Sequence, residues 1–386
     1  MKKDRKIKLE KEKYRRLKEM PDFIADFIQH HENKFSIMTQ ISYIKCYTIF
    51  LEYLLELPEF KHRKSIRDIT LEDLKVLTTR DIRHFLSYLT SYTKTFKRKD
   101  GMEVTQTFTN DDKGKSTKLA ALHTLYNWFS KEGYDIEDIT KHIEIKIKEK
   151  QDIKNSLNGK EIDRFVDIII NDVNIENERK LKFHKRLKFR DLTILLILAF
   201  TGIRISELVD LDISDINTEY GALIVTRKGE SQQKLYIPDR IVSTIEEYIE
   251  QRKKVEDVPT EYKEALFLSS QKKRIHPRTV RYMLEKYKER AGIDIKVTPH
   301  TLRRSFAMRF YNDTGDIQLT ADQLGHKTTE TTRKFYAKPE EERRKRIMKN
   351  FDYRTEEDND SLSSELQALA IATGQTVEEI KKKLGL

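Results

Sequence analysis

The longest apolar run in the chain, residues 192–200, is the feature that most limits its fold. A bilayer span needs about 20 consecutive apolar residues, so this run is too short to be a membrane helix. Its nearly all-apolar character instead predicts a buried helix over residues 190–200. The basic N-terminus also lacks the apolar segment of a signal peptide, so no membrane partner is expected.

Other elements must therefore surround this helix, and the flanking sequence predicts them. Asn158-Gly-Lys-Glu161 has the form of a capping box and starts a domain. Two β-rich segments, 222–226 and 234–237, flank Lys-Gly-Glu-Ser and predict a hairpin. Further helices are predicted near residues 239–253, 277–291, 300–312, 316–323 and 328–337. We expect a mostly helical α+β domain over residues 158–350, with a small antiparallel sheet.

The preceding sequence predicts a separate helical bundle over residues 21–150. Apolar residues recur at helical spacing in four or five segments, with caps at Asp22, Ser36, Thr70, Thr79 and Ser116. Residues 93–115 show no clear period and are interpreted as a flexible basic loop, and lysine-rich residues 146–154 as a linker. Residues 1–20 are either a solvated helix or a basic arm that lies on phosphates. The tail, 351–386, contains an amphipathic helix at 361–372 and a second capping box at 376–379.

The charge of the chain indicates its class of partner. A formal net charge of +11 and a pI near 9.2 favour a polyanion, and nucleic acid is the interpretation left once a membrane surface is set aside. The single cysteine, Cys46, lies in an apolar helical pattern and cannot form an internal disulfide, which is typical of a reducing cytoplasm. No histidine or cysteine spacing suits zinc, so neither a metal nor a cofactor is expected.

Four short stretches of the second domain contain residue types suited to phosphoryl transfer without a metal. They are Thr-Gly-Ile-Arg (201–204), Thr-Arg-Lys-Gly-Glu (226–230), His-Thr-Leu-Arg-Arg (300–304), and Leu-Gly-His (324–326) followed by Tyr336. A phosphodiester repels nucleophiles, so such a site needs fixed cations, a nucleophile and a proton donor. Arg204 and Arg303 suit the cationic role because a guanidinium is a planar fork of donors that keeps its charge.

The remaining residues suggest the other roles. Tyr336 is the candidate nucleophile, and because a free tyrosine has a pKa of about 10 it needs a base or nearby cations. His300 is positioned to accept that proton, one helical turn before Arg303, and His326 to hold a non-bridging oxygen. Lys228, at a hairpin tip, is the candidate acid for the departing 5′-oxygen. Glu207 lies close enough to Arg204 to orient a neighbouring side chain.

In this order, the four stretches resemble the signature of the tyrosine recombinases, the integrase family that includes the Xer proteins. The resemblance implies catalytic roles for Arg204, Lys228, His300, Arg303, His326 and Tyr336, and a 3′-phosphotyrosyl intermediate at Tyr336. Two departures stand out. Arg304 occupies a position where many relatives have a second histidine, and Arg227 is a rival for the role of Lys228.

The resemblance also implies a mainly α architecture in which the first bundle is a SAM-like core-binding domain. The implied partners are double-stranded DNA with inverted-repeat half-sites, three further copies of the chain in a tetramer, and a DNA translocase or accessory factor. The implied roles are Xer-like dimer resolution or integration and excision of a mobile element, in the cytoplasm. Two alternatives stay open at this point: a type IB topoisomerase and a DNA-binding protein without catalytic activity.

Overall fold

The computed structural model describes residues 3–98, 100–147, 156–227 and 231–326, with 328–329, 348, 365–367, 369–370, 373 and 376–384 beyond them. These residues form two compact units, an N-terminal unit over 1–154 and a C-terminal unit over 155–386. Most of the predicted linker at 146–154 lies outside the described residues. None of the described helices is both long and apolar enough to cross a membrane.

The N-terminal unit is a helical bundle with one β-hairpin. Its main elements are α1 (Lys3–Leu17), α2 (Asp22–His30), α3 (Ile37–Glu56), α4 (Leu71–Lys75), α5 (Thr79–Tyr88), β1 (Ser91–Lys97), β2 (Glu103–Thr109) and α6 (Asp112–Lys131). Aromatic and aliphatic side chains of α2, α3, α5 and α6 form its core, and Cys46 is buried there as predicted. Ser36 caps α3 by accepting the backbone N–H of Thr39, because a helix leaves its first N–H groups unpaired.

The prediction of a flexible loop at 93–115 is wrong. Strands β1 and β2 pair antiparallel with Tyr92 opposite Phe108, and a turn containing Gly101 joins them with φ of 84°. Helix α6 then begins at Asp112 with Asp111 as its cap, not at Ser116. The alternation was missed because two of the six inward positions are the polar Lys94 and Gln106 and only Tyr92 is fully buried, so apolar and polar residues do not alternate clearly.

The basic N-terminus is a helix, which is one of the two structures the sequence allowed. Lys13 of α1 is buried, and its ammonium pairs with Glu10 at 2.8 Å and with Glu32, near the end of α2, at 2.9 Å. A lysine buried to this degree requires such partners, because its charge is otherwise costly to remove from water. Helix α1 is therefore anchored to the N-terminal unit.

The C-terminal unit surrounds one long helix, as the apolar run predicted. Its elements are α7 (Gly159–Ile170), α8 (Glu178–Thr201), α9 (Ile205–Asp210), β3 (Ile216–Asn217), β4 (Ala222–Thr226), β5 (Gln232–Tyr236), α10 (Asp239–Lys253), α11 (Pro277–Arg290), α12 (Pro299–Thr314) and α13 (Ile317–Leu324). The second half of α8 is buried almost continuously and packs against α7, α10 and α12. Because residues 194–200 are apolar on every face, this half can only be the centre of the domain.

Local signals fix the boundaries around this core. Asn158 and Glu161 form the predicted capping box of α7, with each side chain bonded to the backbone N–H of the other residue. Strands β3, β4 and β5 form an antiparallel sheet in that order, which confirms the predicted hairpin. In the tail, Thr376 and Glu379 form the second predicted box at the start of a helix over Val377–Leu384. The helix predicted at 328–337 lies almost entirely outside the described residues.

Candidate active site

Arg204 is presented by the turn that ends α8. Gly202 terminates this helix with φ of 64°, and a Cβ atom there would lie only 2.4 Å from the ring of Phe306. Two residues later the backbone N–H of Arg204 donates to the Glu207 carboxylate at 2.7 Å, and its Nη1 donates to the same carboxylate at 2.8 Å. The other terminal nitrogen, Nη2, donates to the carbonyl of Gly325 at 2.9 Å. The guanidinium is held in place, yet its side chain keeps 38% of its accessible surface.

Glu207 is a buried carboxylate shared by two arginines. Besides Arg204, it accepts a bond of 2.7 Å from Nη1 of Arg227, at the end of β4. The Nε of Arg227 donates to Gln233 at 2.8 Å and Nη2 donates to the carbonyl of Gln323 at 2.9 Å. Burial lowers the pKa of the Arg227 guanidinium and Glu207 opposes that shift, so the group stays charged. Each of its three nitrogens donates to protein, which suits a positioning role.

Arg303 and His300 lie on α12, whose first residue is Pro299 and whose cap is Thr298. The two residues are three positions apart, so they lie on the same face of the helix. Arg303 is buried, and it donates from Nη1 to the carbonyl of Gly202 at 2.6 Å and from Nη2 to that of Leu324 at 2.5 Å. His300, in the first turn, is exposed. Arg303 thus connects the turn after α8 to the end of α13.

His326 follows α13 and belongs to the same cluster. Its backbone N–H donates to the carbonyl of Ala321 at 2.9 Å. Burial, together with the positive charges of Arg303, Arg204, Arg227 and His300, lowers the pKa of its imidazole to about 4. The ring is therefore neutral near pH 7, and a neutral imidazole still offers one N–H to a phosphate oxygen.

Gly325 allows the guanidinium of Arg227 to pack closely against the turn that follows α13. Its φ is 62°, and a Cβ atom there would lie 2.7 Å from Nε of Arg227 and 2.9 Å from its Cζ. Only glycine therefore combines the left-handed turn with the close approach of the guanidinium.

Four of the six predicted catalytic residues are described, and the structure brings them together. Arg204, Arg303 and His326 meet where the ends of α8 and α13 adjoin α12, and His300 is near enough to influence the pKa of His326. Lys228 and Tyr336 lie outside the described residues. Sequence reasoning missed the shared support from Arg227, because its partners Glu207 and Gln323 lie 20 and 96 positions away. The one short-range sequence signal of this support from Arg227 was Gly325, in the Leu-Gly-His motif.

Comparison with known proteins identifies the class of this site. The profile of the phage integrase family matches residues 155–343. Tyrosine recombinase XerS from Streptococcus thermophilus is 32% identical over 356 residues, which cover 85% of this chain and 94% of that protein. The chain belongs to the tyrosine recombinase family. Tyrosine recombinase XerS from Lactococcus lactis subsp. lactis is 29% identical over 333 residues, 81% of this chain and 90% of that protein. The family predicted from the four motifs is thereby confirmed.

Solved structures of recombinases share the fold. The XerH site-specific recombinase bound to a palindromic difH substrate aligns with a TM-score of 0.57 and 21% identity, over 78% of this chain and 76% of that one. The Tn1549 transposon integrase in complex with a circular intermediate DNA also gives a TM-score of 0.57, with 15% identity over 89% of this chain and 98% of that one. These likenesses confirm the predicted fold class, a mainly helical recombinase architecture with small antiparallel sheets.

Proposed function

We propose that this chain is a site-specific recombinase that cleaves and rejoins DNA through Tyr336. The observation that carries the proposal is the pair of fixed guanidinium groups, Arg204 and Arg303, placed beside the neutral imidazole of His326. Guanidinium groups held by carboxylate and carbonyl oxygens need no reorganisation when a phosphate gains charge in the transition state. Family membership and the full-length relatives named tyrosine recombinase support the same reaction.

The reaction follows from the roles assigned to these residues. The phenolic oxygen of Tyr336 attacks the scissile phosphorus while its proton passes to His300. Arg204 and Arg303 hold the non-bridging oxygens, with the N–H of His326 as a third donor. The bond from phosphorus to the 5′-oxygen breaks and Lys228 protonates that oxygen, leaving a 3′-phosphotyrosyl ester and a free 5′-hydroxyl. Attack by another strand's 5′-hydroxyl reverses these steps, and because the ester conserves the bond, no ATP is needed.

We assign Arg227 a positioning role, not the acid role for which it rivals Lys228. A general acid must reach the leaving oxygen with a proton to donate. The three guanidinium nitrogens of Arg227 already donate to Glu207, Gln233 and Gln323, and the side chain is buried. Lys228, the next residue along the hairpin, is therefore the better candidate.

The N-terminal unit fits the role of a core-binding domain. Its β1–β2 hairpin exposes a threonine-rich face and ends in Lys97 and Arg98, and a two-stranded ribbon fits the major groove of DNA. We propose that the two units grip double-stranded DNA, and that four copies act on two sites built from inverted-repeat half-sites. The Xer names of the curated relatives favour dimer resolution in the cytoplasm over integration of a mobile element, with a DNA translocase or accessory factor as partner.

One covalent-capture experiment both identifies the DNA target sequence and tests whether Tyr336 is the nucleophile. The full-length chain is incubated with a randomised duplex library, denatured, and the DNA that stays attached is sequenced. Nicked suicide duplexes that carry the recovered site should then give a covalent adduct with the native chain and with Tyr220→Phe, whose ring is exposed on the β3–β4 turn. Tyr336→Phe should give none while binding the same DNA.

The alternatives give other results. If Tyr336→Phe still forms the adduct, the nucleophile is another residue. If the native chain binds DNA without any adduct, it is a DNA-binding protein that does not cut. Relaxation of plasmids that lack the recovered site, without recombinant products, would instead show a type IB topoisomerase. Full-length relatives named as recombinases do not favour either of these alternatives.

A further inference from the structure

A second concave site lies at the opposite end of α8 from the candidate active site. It is an open cavity of about 1400 Å³, formed by residues 174–177, the first turns of α8 and the C-terminal end of α11. At about 1.5 Å per helical residue, the start of α8 is roughly 36 Å from the turn that presents Arg204. The cavity is therefore not an extension of the cleavage site.

Cationic side chains dominate the lining of the cavity. Six of them, Arg179, Lys180, Lys182, Arg186, Lys286 and Arg290, line it together with the carboxylates of Glu176 and Glu289, and Asp191 behind the lining pairs with Lys286 at 3.3 Å. Glu176 pairs with Lys180, so it offsets one charge locally. Nη1 of Arg290 is buried and has no hydrogen-bond acceptor among the residues that the structure describes. The remaining excess of three positive charges and this unpaired donor both favour an anionic ligand.

The walls of the cavity are held in place without a ligand. His184 bonds to Asp172 at 3.0 Å and to the hydroxyl of Tyr287 at 3.1 Å, and that hydroxyl donates to Asp191 at 2.9 Å. Asn174 adopts a left-handed conformation, with φ of 57°, and donates to the carbonyl of Arg290 at 2.8 Å. The loop before α8 is thus fastened to both helices, which gives a preformed site.

Apolar side chains accompany the charges. Phe183 lines the cavity with 48% of its surface exposed, and the guanidinium carbon of Arg186 lies 5.2 Å from its ring centroid. Val173, directly before the cavity-lining loop, and Ile170, at the end of α7, are also exposed. Exposed apolar groups bordered by charge are typical of a protein interaction site.

We propose that this cavity binds an acidic peptide segment of a partner protein, with an aromatic or aliphatic side chain of that segment packed on Phe183. The carboxylates of the segment would pair with the cations of α8, and Arg290 would find an acceptor. A peptide can enter a cavity of this size, whereas a DNA duplex is a convex rod that reaches only the rim. The mixture of apolar and cationic groups also suits a peptide better than a phosphate backbone, which offers no apolar side chain.

The test uses the full-length chain and a fluorescein-labelled peptide that repeats Glu-Glu-Phe-Glu-Leu three times. Fluorescence anisotropy should show about ten-fold weaker binding for the triple variant Arg179→Glu, Lys182→Glu, Arg186→Glu, which reverses three cavity charges. A matched variant, Lys254→Glu, Lys263→Glu, Lys273→Glu, changes the net charge equally at exposed positions elsewhere in the C-terminal unit and should bind within about two-fold of the native chain. Phe183→Ser, which changes no charge, should weaken binding about five-fold.

The outcomes separate this proposal from its rivals. Equal loss in both triple variants would mean non-specific attraction to a basic protein and would overturn it. So would a cavity variant that binds the peptide normally but binds a duplex without the target site more weakly, because the cavity would then be a DNA contact. Circular dichroism and adduct formation on a nicked suicide duplex check that each variant is folded and active. Adduct formation is read separately, so failure of the peptide site leaves the cleavage proposal intact.

Discussion

The two ends of α8 hold cations in opposite ways. At the C-terminal end, Arg204, Arg227 and Arg303 donate to a buried carboxylate and to backbone carbonyls, and two of the three are buried. At the N-terminal end, the cations that α8 itself contributes to the cavity are exposed, on a surface with few acceptors. Both ends are positive, so charge alone does not distinguish them.

The difference lies in how much freedom each cation retains. A group that must match a transition state is useful only if its position is set beforehand, and fixed acceptors set it. A group that only attracts a partner works equally well when it is mobile and solvated, but each such contact contributes little. Substitutions should therefore have large effects at the first end and small, roughly additive effects at the second.

Arg303→Lys should have the largest effect. Lysine keeps the charge but cannot donate to the carbonyls of Gly202 and Leu324 while also facing a phosphate in a fixed fork. We expect the rate of adduct formation on a nicked suicide duplex to fall by about 10³-fold with DNA affinity nearly unchanged. The matched control is Arg309→Lys, at an exposed position of the same helix. If both variants cleave at the native rate, the fork geometry of Arg303 is not needed.

Glu207→Gln should come next. It keeps the shape but leaves Arg204 and Arg227 without their shared counter-charge, and removing one partner of a buried ion pair costs about 3 kcal/mol or more. We expect about 10²-fold slower cleavage and a lower unfolding midpoint. Adding Arg227→Met removes the uncompensated charge, so the double variant should recover stability but not rate. Recovery of both would mean that Glu207 acts only on folding.

Gly325→Ala tests the close contact between the backbone of Gly325 and the guanidinium of Arg227. Its Cβ atom would lie 2.7 Å from Nε of that guanidinium, whereas in Gly292→Ala, where φ is 60°, the new Cβ atom meets nothing within 4 Å. Both variants should lose about 1 kcal/mol to backbone strain. Only Gly325→Ala should also slow adduct formation, by about ten-fold. Equal rates in the two variants would show that the position of Arg227 does not affect cleavage.

The smallest expected effect concerns pH. The folded protein lowers the pKa of His326 to about 4 from its ordinary value of 6.5, so the folded state binds fewer protons between these values. The stability that His326 contributes is complete above pH 6.5 and is lost as pH falls toward 4. In thermal unfolding, His326→Asn should therefore lose less stability than the native chain over this interval. An identical pH dependence in both proteins would contradict the depressed pKa.

Short-range sequence signals predicted much of the fold but only some of the contacts that hold the site residues in place. Asn158 with Glu161, Ser36, and Pro299 act within one helical turn of their own positions, so the sequence is enough to find them. The link from Arg204 to Gly325 spans 121 positions, and no pattern within a short window encodes it. The β1–β2 hairpin was missed for a different reason. Its strands are exposed over most of their length, so burial imposes no alternation on their sequence.

The hydrogen bonds around Gly202 and Gly325 determine when this cationic site can form while the chain is being synthesised. Arg303 is held by the carbonyls of Gly202 and Leu324, and Arg204 by that of Gly325, so three distant segments fix one another. A chain that emerges from the ribosome only as far as α12 has both arginines but still lacks the carbonyls of Leu324 and Gly325 that help to hold them. Both guanidinium groups reach their full set of partners only after α13 has folded, so this cationic site is completed late in synthesis.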